Sequence, residues 1–144
     1  MNSSIKEIQE EIIDEFSILG DDKESTIFYI MELGAKLPEF PEKDRVEENI
    51  IKGCQSKVWL TTKEENDQVH FLADSNTDIT KGLISLLIRV LSGRKPKEIL
   101  DADLYFIDKI GMGNIIGSQR SNGLAAMIKQ MKLYALAYQT KQNA

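Results

Sequence analysis

One cysteine, one histidine and one tryptophan stand in 144 residues. The lone cysteine, Cys54, excludes an internal disulfide framework and fits a reducing cytoplasm, so a cytoplasmic protein is expected. Cys54 and His70 fall short of the four ligands of a structural zinc or an iron–sulfur cluster unless carboxylates fill in, so no metal is expected. Long apolar runs are missing too. The most apolar segment, Gly82 to Leu91, is too short to span a membrane and carries Arg89. The start, Met1-Asn2-Ser3-Ser4-Ile5-Lys6-Glu7, has no basic region leading into an apolar stretch, and no signal peptide is expected. A basic surplus is also lacking. With 18 Lys+Arg against 23 Asp+Glu the net charge is −5, which argues against general nucleic-acid binding.

What is present is ordinary globular composition, 42% hydrophobic and 28% charged, in a length suited to a single domain, residues 1–144, with a real core. Charge is unevenly spread. Residues 1–50 hold 14 acidic and 5 basic side chains, and residues 51–144 hold 9 and 13. Acidic helices on one side account for this, as do two opposite patches that orient a protein partner.

Ile5, Ile8, Ile12, Phe16 and Leu19 recur at helical spacing, capped by Ser3 or Ser4, until Gly20 breaks the pattern. A second helix from Asp22 or Lys23 turns Ile27, Ile30, Met31 and Leu33 inward and ends at Leu37-Pro38-Glu39-Phe40-Pro41. Glu42 to Glu48 reads as a charged, solvated stretch. Three strand candidates follow: Asn49-Ile50-Ile51, Lys57 to Thr62 and Gln68 to Asp74, the last two joined hairpin-fashion by Lys63 to Asp67. From Asp78 a helix apolar nearly all round reads as central and buried, and Gly93 closes it. Short helical turns begin at Pro96 and near Asp101 or Asp103. Ser118 or Ser121 opens a last long helix with Leu124, Ile128, Met131, Ala135 and Tyr138 on one face. The expected class is α+β, a small three-stranded antiparallel sheet covered by helices.

Gly111-Met112-Gly113-Asn114-Ile115-Ile116-Gly117 lacks the strand and the spacing of a dinucleotide fingerprint and reads as a connecting loop. His70 points opposite to Val69 and Phe71, away from the core they fill. Cys54 is the residue that suggests chemistry. A free cysteine is often an inert buried hydrophobe, but Gly53 and the small polar residues after it put this thiol in a turn. Lys52 and Lys57 flank it, and either ammonium favours the nucleophilic thiolate.

Several segments in family order resemble the SufE family of sulfur-acceptor proteins. They are Glu32-Leu33-Gly34 with Leu37-Pro38-Glu39; Gly53-Cys54-Gln55-Ser56-Lys57-Val58-Trp59; Ala73-Asp74-Ser75 before Ile79-Thr80-Lys81-Gly82-Leu83; Ser92-Gly93; and Ser118-Gln119-Arg120-Ser121-Asn122-Gly123-Leu124 with Ala126-Met127. The resemblance implies an α+β fold shared with IscU, with the cysteine on a loop often tucked against the protein. It implies a carrier without turnover or cofactor of its own, which stimulates a pyridoxal-phosphate cysteine desulfurase of SufS or CsdA type. Cys54 takes sulfur as a persulfide and passes it to a scaffold of the SufBCD type for iron–sulfur cluster assembly. Gly53, Gln55, Ser56, Lys57, Asp74 and Arg120 support the thiol or dock the partner. Arg120 steadies an anionic sulfur or pairs with Asp74. An IscU-type scaffold is the alternative, as is a CsdE-type carrier for another acceptor; homodimerisation stays open.

Overall fold

The computed structural model describes residues 3–143; Met1, Asn2 and Ala144 lie outside the described residues. Helix α1 (Ile5–Ile18) starts at Ser4. Its hydroxyl accepts from the Glu7 amide while the Glu7 carboxylate accepts from the Ser4 amide, a reciprocal cap that satisfies two end donors. Helix α2 (Lys23–Ala35) is capped by Asp22. Two 3-10 turns, Glu42–Asp44 and Glu47–Asn49, lead to strands β1 (Val58–Glu65) and β2 (Gln68–Ser75). Helices α3 (Asp78–Leu91), α4 (Pro96–Asp101), α5 (Phe106–Lys109) and α6 (Met112–Gln142) complete the chain.

The sheet has two strands, not the expected three. β1 and β2 pair antiparallel from Val58 opposite Ser75 to Glu65 opposite Gln68. Asn66 and Asp67 close the hairpin with φ of 53° and 64°. Both values are positive, the twist that suits a two-residue connection between strands, so β1 runs on through Lys63 to Glu65, which the sequence suggested as loop. The candidate strand Asn49-Ile50-Ile51 shrinks to one bridge, Ile50 to Trp59, with the Ile51 amide 2.8 Å from the Val58 carbonyl. A 3-10 turn before it and the Lys52-Gly53 turn after it leave no length for a ladder. The outer edge of β2 is covered at Val69, which exchanges backbone bonds with Gly93 and Arg94, 2.8 Å each. His70 is half-buried there, against Gly93.

Helix α3 is the central element. Leu83, Ile84, Leu86, Leu87, Val90 and Leu91 are all buried in a core that also takes in Ile12, Ile30, Leu60, Val69, Met127 and Met131. Helix α2 crosses α3 at the backbone. A Cβ at Gly82 would lie 2.0 Å from the Ile30 carbonyl oxygen, and one at Gly34 would lie 2.5 Å from the Gly82 nitrogen. This contact sets the rotation of α2. Its buried residues are Thr26, Ile30 and Gly34, whereas Ile27, Met31 and Leu33, read as inward from spacing, are only half-buried. Gly34 and Gly82 let the helix axes come close, Ile30 is buried and Leu33 packs against the core, while Ile27 and Met31 are left half-buried.

Two further expectations change. Gly111 to Gly117 is not a loop throughout, since Met112 and Ile116 are buried within a helical turn. Gly117, with φ 83° and ψ 173°, then interrupts the helix. This backbone is open essentially to glycine alone. The long helix therefore restarts at Ser118, one of the two starts expected. The stretch Glu42 to Glu48 is folded into the two 3-10 turns, with Asn49 donating to the Asp44 carbonyl at 2.8 Å.

Because Gly82 has no space for a side chain, Gly82→Ala is expected to destabilise the fold by roughly 3 kcal/mol, at the upper range for overpacking. Exposed Gly113, whose added Cβ would approach nothing nearer than 3.8 Å, serves as the control, with Gly113→Ala within about 0.5 kcal/mol of wild type or more stable. Urea denaturation of the two variants checks this.

Candidate functional site

The site forms where the segment between the second 3-10 turn and β1 meets the first turns of α3 and of the long part of α6. The loop's two sides are held differently. Past the cysteine, the Lys57 amide donates to Asn76 Oδ1 at 3.0 Å, and the Lys57 carbonyl accepts from the Ser75 hydroxyl at 2.8 Å and the Asn76 amide at 3.2 Å. The Ser56 and Thr77 hydroxyls are 2.9 Å apart, and Thr80 Oγ1 donates to Ser56 Oγ at 3.3 Å. These bonds tie the loop to the end of β2 and the start of α3. Before the cysteine, Lys52 and Gly53 are exposed, and Gly53 has φ 97°. That conformation strains any side-chain-bearing residue. A Cβ at Gly53 would also come within 3.2 Å of the Ala126 Cβ.

Cys54 is half-buried rather than openly accessible. Its Sγ donates to the Gly123 carbonyl at 3.5 Å, and a side chain at Gly123 would meet Sγ at 3.6 Å. The bare helix backbone at Gly123 is what lets the thiol settle there. Gly53 rests over Ala126 and Cys54 over Gly123, two positions three residues apart and so on one face of α6. Around the sulfur lies a cavity of about 120 Å³. Its walls combine the polar side chains of Ser56, Thr77, Thr80 and Arg120 with apolar Leu83 and Met127.

Burial pushes the Cys54 thiol above its ordinary pKa, and burial is the sole cause. Lys52 and Lys57 are both exposed and do not act on it. The expected cationic activation by these neighbours is therefore absent in this conformation. Two exposed ammonium groups on a turn point into water, where screening removes most of their influence.

A family model described as "SufE: Fe-S metabolism associated domain" matches residues 10–135. The chain belongs to the SufE family. The protein named "Cysteine desulfuration protein SufE" of Wigglesworthia glossinidia brevipalpis is 36% identical over 145 aligned positions, 99% of each chain. An uncharacterized SufE-like protein of Rhizobium meliloti is 39% identical over 128 residues, 85% of this chain and 91% of that one. A solution structure of a hypothetical protein from Thermus thermophilus shares the fold with a TM-score of 0.75, covering 92% of this chain and 96% of that one at 21% identity.

The expected SufE site residues divide into two groups. Gly53, Cys54, Gln55, Ser56 and Lys57 are one loop, and Arg120 lines the same cavity as Cys54. Asp74 does something else. It is 8% exposed and accepts from Arg45 Nε at 3.0 Å and Nη2 at 2.7 Å, with Lys81 Nζ at 3.5 Å. Arg120 is not its partner. Burial opposes ionisation of Asp74, but the Arg45 hydrogen bond, the Ser75 amide and the charges of Lys81 and Arg45 outweigh it and hold the carboxyl below its ordinary pKa. Arg45 also pairs with Glu42 and lies 5.8 Å over the Phe40 ring. A guanidinium bound on several sides fastens the 3-10 segment to the sheet end from which the thiol loop departs.

Sequence reasoning missed Arg45, hidden in a stretch that looks solvated. It also missed Thr77, Thr80 and Gly123 as neighbours of the thiol. Thr77 and Thr80 stand one helical turn apart at the start of α3, a spacing that carries no signal unless the loop opposite is known.

Among the described residues no helix is long and apolar enough to cross a membrane, and no three His, Cys, Asp or Glu side chains converge on one point.

Two outcomes follow for this site. Alkylation of Cys54 by iodoacetamide is expected to have its midpoint at higher pH than an unburied thiol, about 8.5, because burial raises its pKa, and a stopped pH series beside a free cysteine peptide reads it. Asp74 is stabilising when ionised, so its contribution is full above pH 3.8 and is lost as pH falls below that value through its lowered folded pKa. Asp74→Asn should therefore lose roughly 2 kcal/mol at neutral pH, and its gap to wild type should close in acid, as measured by denaturation at both pH values.

Proposed function

We propose that Cys54 carries sulfane sulfur as a persulfide, accepted from a cysteine desulfurase and delivered for iron–sulfur cluster assembly. The observation that carries this reading is a solitary thiol folded onto the Gly123 carbonyl beside a partly polar cavity of about 120 Å³. A cavity needs roughly 10–15 Å³ on the same measure to hold one water, so there is room for an added sulfur atom without moving a wall. Hydroxyls and the Arg120 guanidinium suit the anionic end of a persulfide.

The step balances without an oxidant. The Cys54 thiol gives its proton to the donor cysteine's departing sulfur. The Cys54 sulfur attacks the outer sulfur of the donor persulfide, one S–S bond forms as another breaks, and the donor is left as a thiol. This is thiol–disulfide exchange in form. Delivery repeats the step with an acceptor thiol. The chain needs no resident cofactor for it and acts as an activator of the donor enzyme rather than a stand-alone catalyst. We place it in the cytoplasm, where a free thiol persists, working as one domain of 144 residues on a SufS-like or CsdA-like desulfurase and a SufBCD-type acceptor.

Burial suits the resting state of such a carrier. A thiol held above its ordinary pKa is a poor nucleophile toward stray disulfides and oxidants. A docking partner that lifts the loop from α6 removes the cause of that shift. The side of the loop held by one thiol contact and by glycine, rather than the side laced to β2 and α3, is the one free to move. An iron–sulfur scaffold normally offers several cysteines, and with the one cysteine of this chain a cluster would have to be shared in a dimer.

Intact-mass analysis after mixing with a cysteine desulfurase, pyridoxal phosphate and cysteine tests the proposal. The expected product is this chain with one or more added sulfur atoms, removable by dithiothreitol and absent in Cys54→Ser. Sulfur retained in Cys54→Ser, or no gain by the wild type, overturns it.

A further inference from the structure

The rotation of α2 that seats Thr26, Ile30 and Gly34 against α3 leaves Ile27 and Met31 half-exposed, and Phe28 keeps 56% of its surface in solvent. Met31 lies four residues after Ile27 and three after Phe28, so it neighbours both, and the three span about 100° of the helix surface. Ile27, Met31 and the first-turn Ile79 of α3 line a groove of about 470 Å³, together with the polar Asn76 and Asp78. The groove runs into the thiol cavity, because Thr77, Ile79 and Arg120 line both. Among the described residues Arg120 is exposed and has no ion-pair partner.

Resting on the sulfur-carrier reading above, we propose that this groove seats the sulfur donor: an extended, apolar segment of the cysteine desulfurase that presents the persulfide. Apolar side chains of the segment cover Ile27, Met31 and Ile79 in the groove and Phe28 at its margin, and its anionic terminal sulfur passes Arg120 into the cavity where Cys54 waits. Continuity favours this occupant. A chain lying in the groove reaches the thiol cavity directly, and the junction between the two is marked by an unpaired cation, complementary to the one charge such a segment must deliver. An exposed phenylalanine beside a half-buried isoleucine and methionine offers residue types that serve as adaptable anchors in protein interfaces. A second copy of this chain is a poorer occupant. Self-pairing over this face would close the thiol cavity of both copies and shut the donor out.

The test uses the full chain with a cysteine desulfurase. Met31→Glu places a charge in the groove, and Phe28→Ser removes an anchor that is already more than half exposed and so spares the fold; thermal unfolding of both shows whether they are folded. Each is expected to raise the concentration of this chain giving half-maximal desulfurase stimulation by ~10-fold or more, the effect of losing one interface anchor. The maximal stimulation should fall by less than about twofold, a split that separates docking from chemistry. Cys54→Ser is expected to bind the desulfurase as the wild type does and to acquire no sulfur. If both groove variants keep the wild-type half-maximal concentration while the wild type still loads sulfur, the groove is not the donor seat and the carrier reading survives. If sedimentation shows wild-type dimers that both variants dissolve without weakening stimulation, the groove joins copies and the proposal is overturned. If the wild type acquires no sulfur, both fall together.

Discussion

The missing side chain at Gly82 governs more of this molecule than any charged or polar contact. With a Cβ there, the Ile30 carbonyl would be overlapped at 2.0 Å, and α2 would have to lift away from α3. The close crossing decides which face of α2 is buried and so which side chains remain for solvent or a partner. It also holds α3 at the depth where its first turn, Thr77 to Leu83, can form one wall of the thiol cavity. A backbone–backbone contact of this kind tolerates no gradual adjustment, since close-packed interiors give little before strain appears.

The thiol site sets burial against reactivity. Packing Sγ on the Gly123 carbonyl shields the sulfur and raises the free energy of its thiolate. The loop resolves the conflict through its unequal anchoring. Ser56 and Lys57 are bound to the β2–α3 junction by several hydrogen bonds, whereas Gly53 and Cys54 rest on α6 by contact and by the single thiol hydrogen bond to Gly123. Weakly held segments open at low free energy while the scaffold stays intact. Asp74 and Arg45 belong to that scaffold, fixing the sheet end without touching the sulfur.

Helix positions and caps were legible because they are local. Ser4 with Glu7, Asp22, the prolines after α2 and the glycine after α3 each act on neighbours within a few residues. The Cys54 motif and Arg120 were legible as a family pattern. The third strand was not, because Ile50 and Ile51 carry strand-forming side chains but lack the length to pair, and length is limited by what flanks them. Nor was the partner of Asp74. Arg45 and Arg120 look alike as residues, and only the path of the chain puts one of them 2.7 Å away.

The sequence alone determined the chemistry available: one thiol, no second sulfur to trap it, and a glycine beside it. It also determined the helices, whose patterning depends on hydrogen bonds and side chains three or four residues apart. Tertiary structure decided the thiol's state. Whether a cysteine is nucleophilic or masked depends on the medium around its sulfur, and here that medium comes from residues such as Gly123 and Thr80 that only folding brings to Cys54.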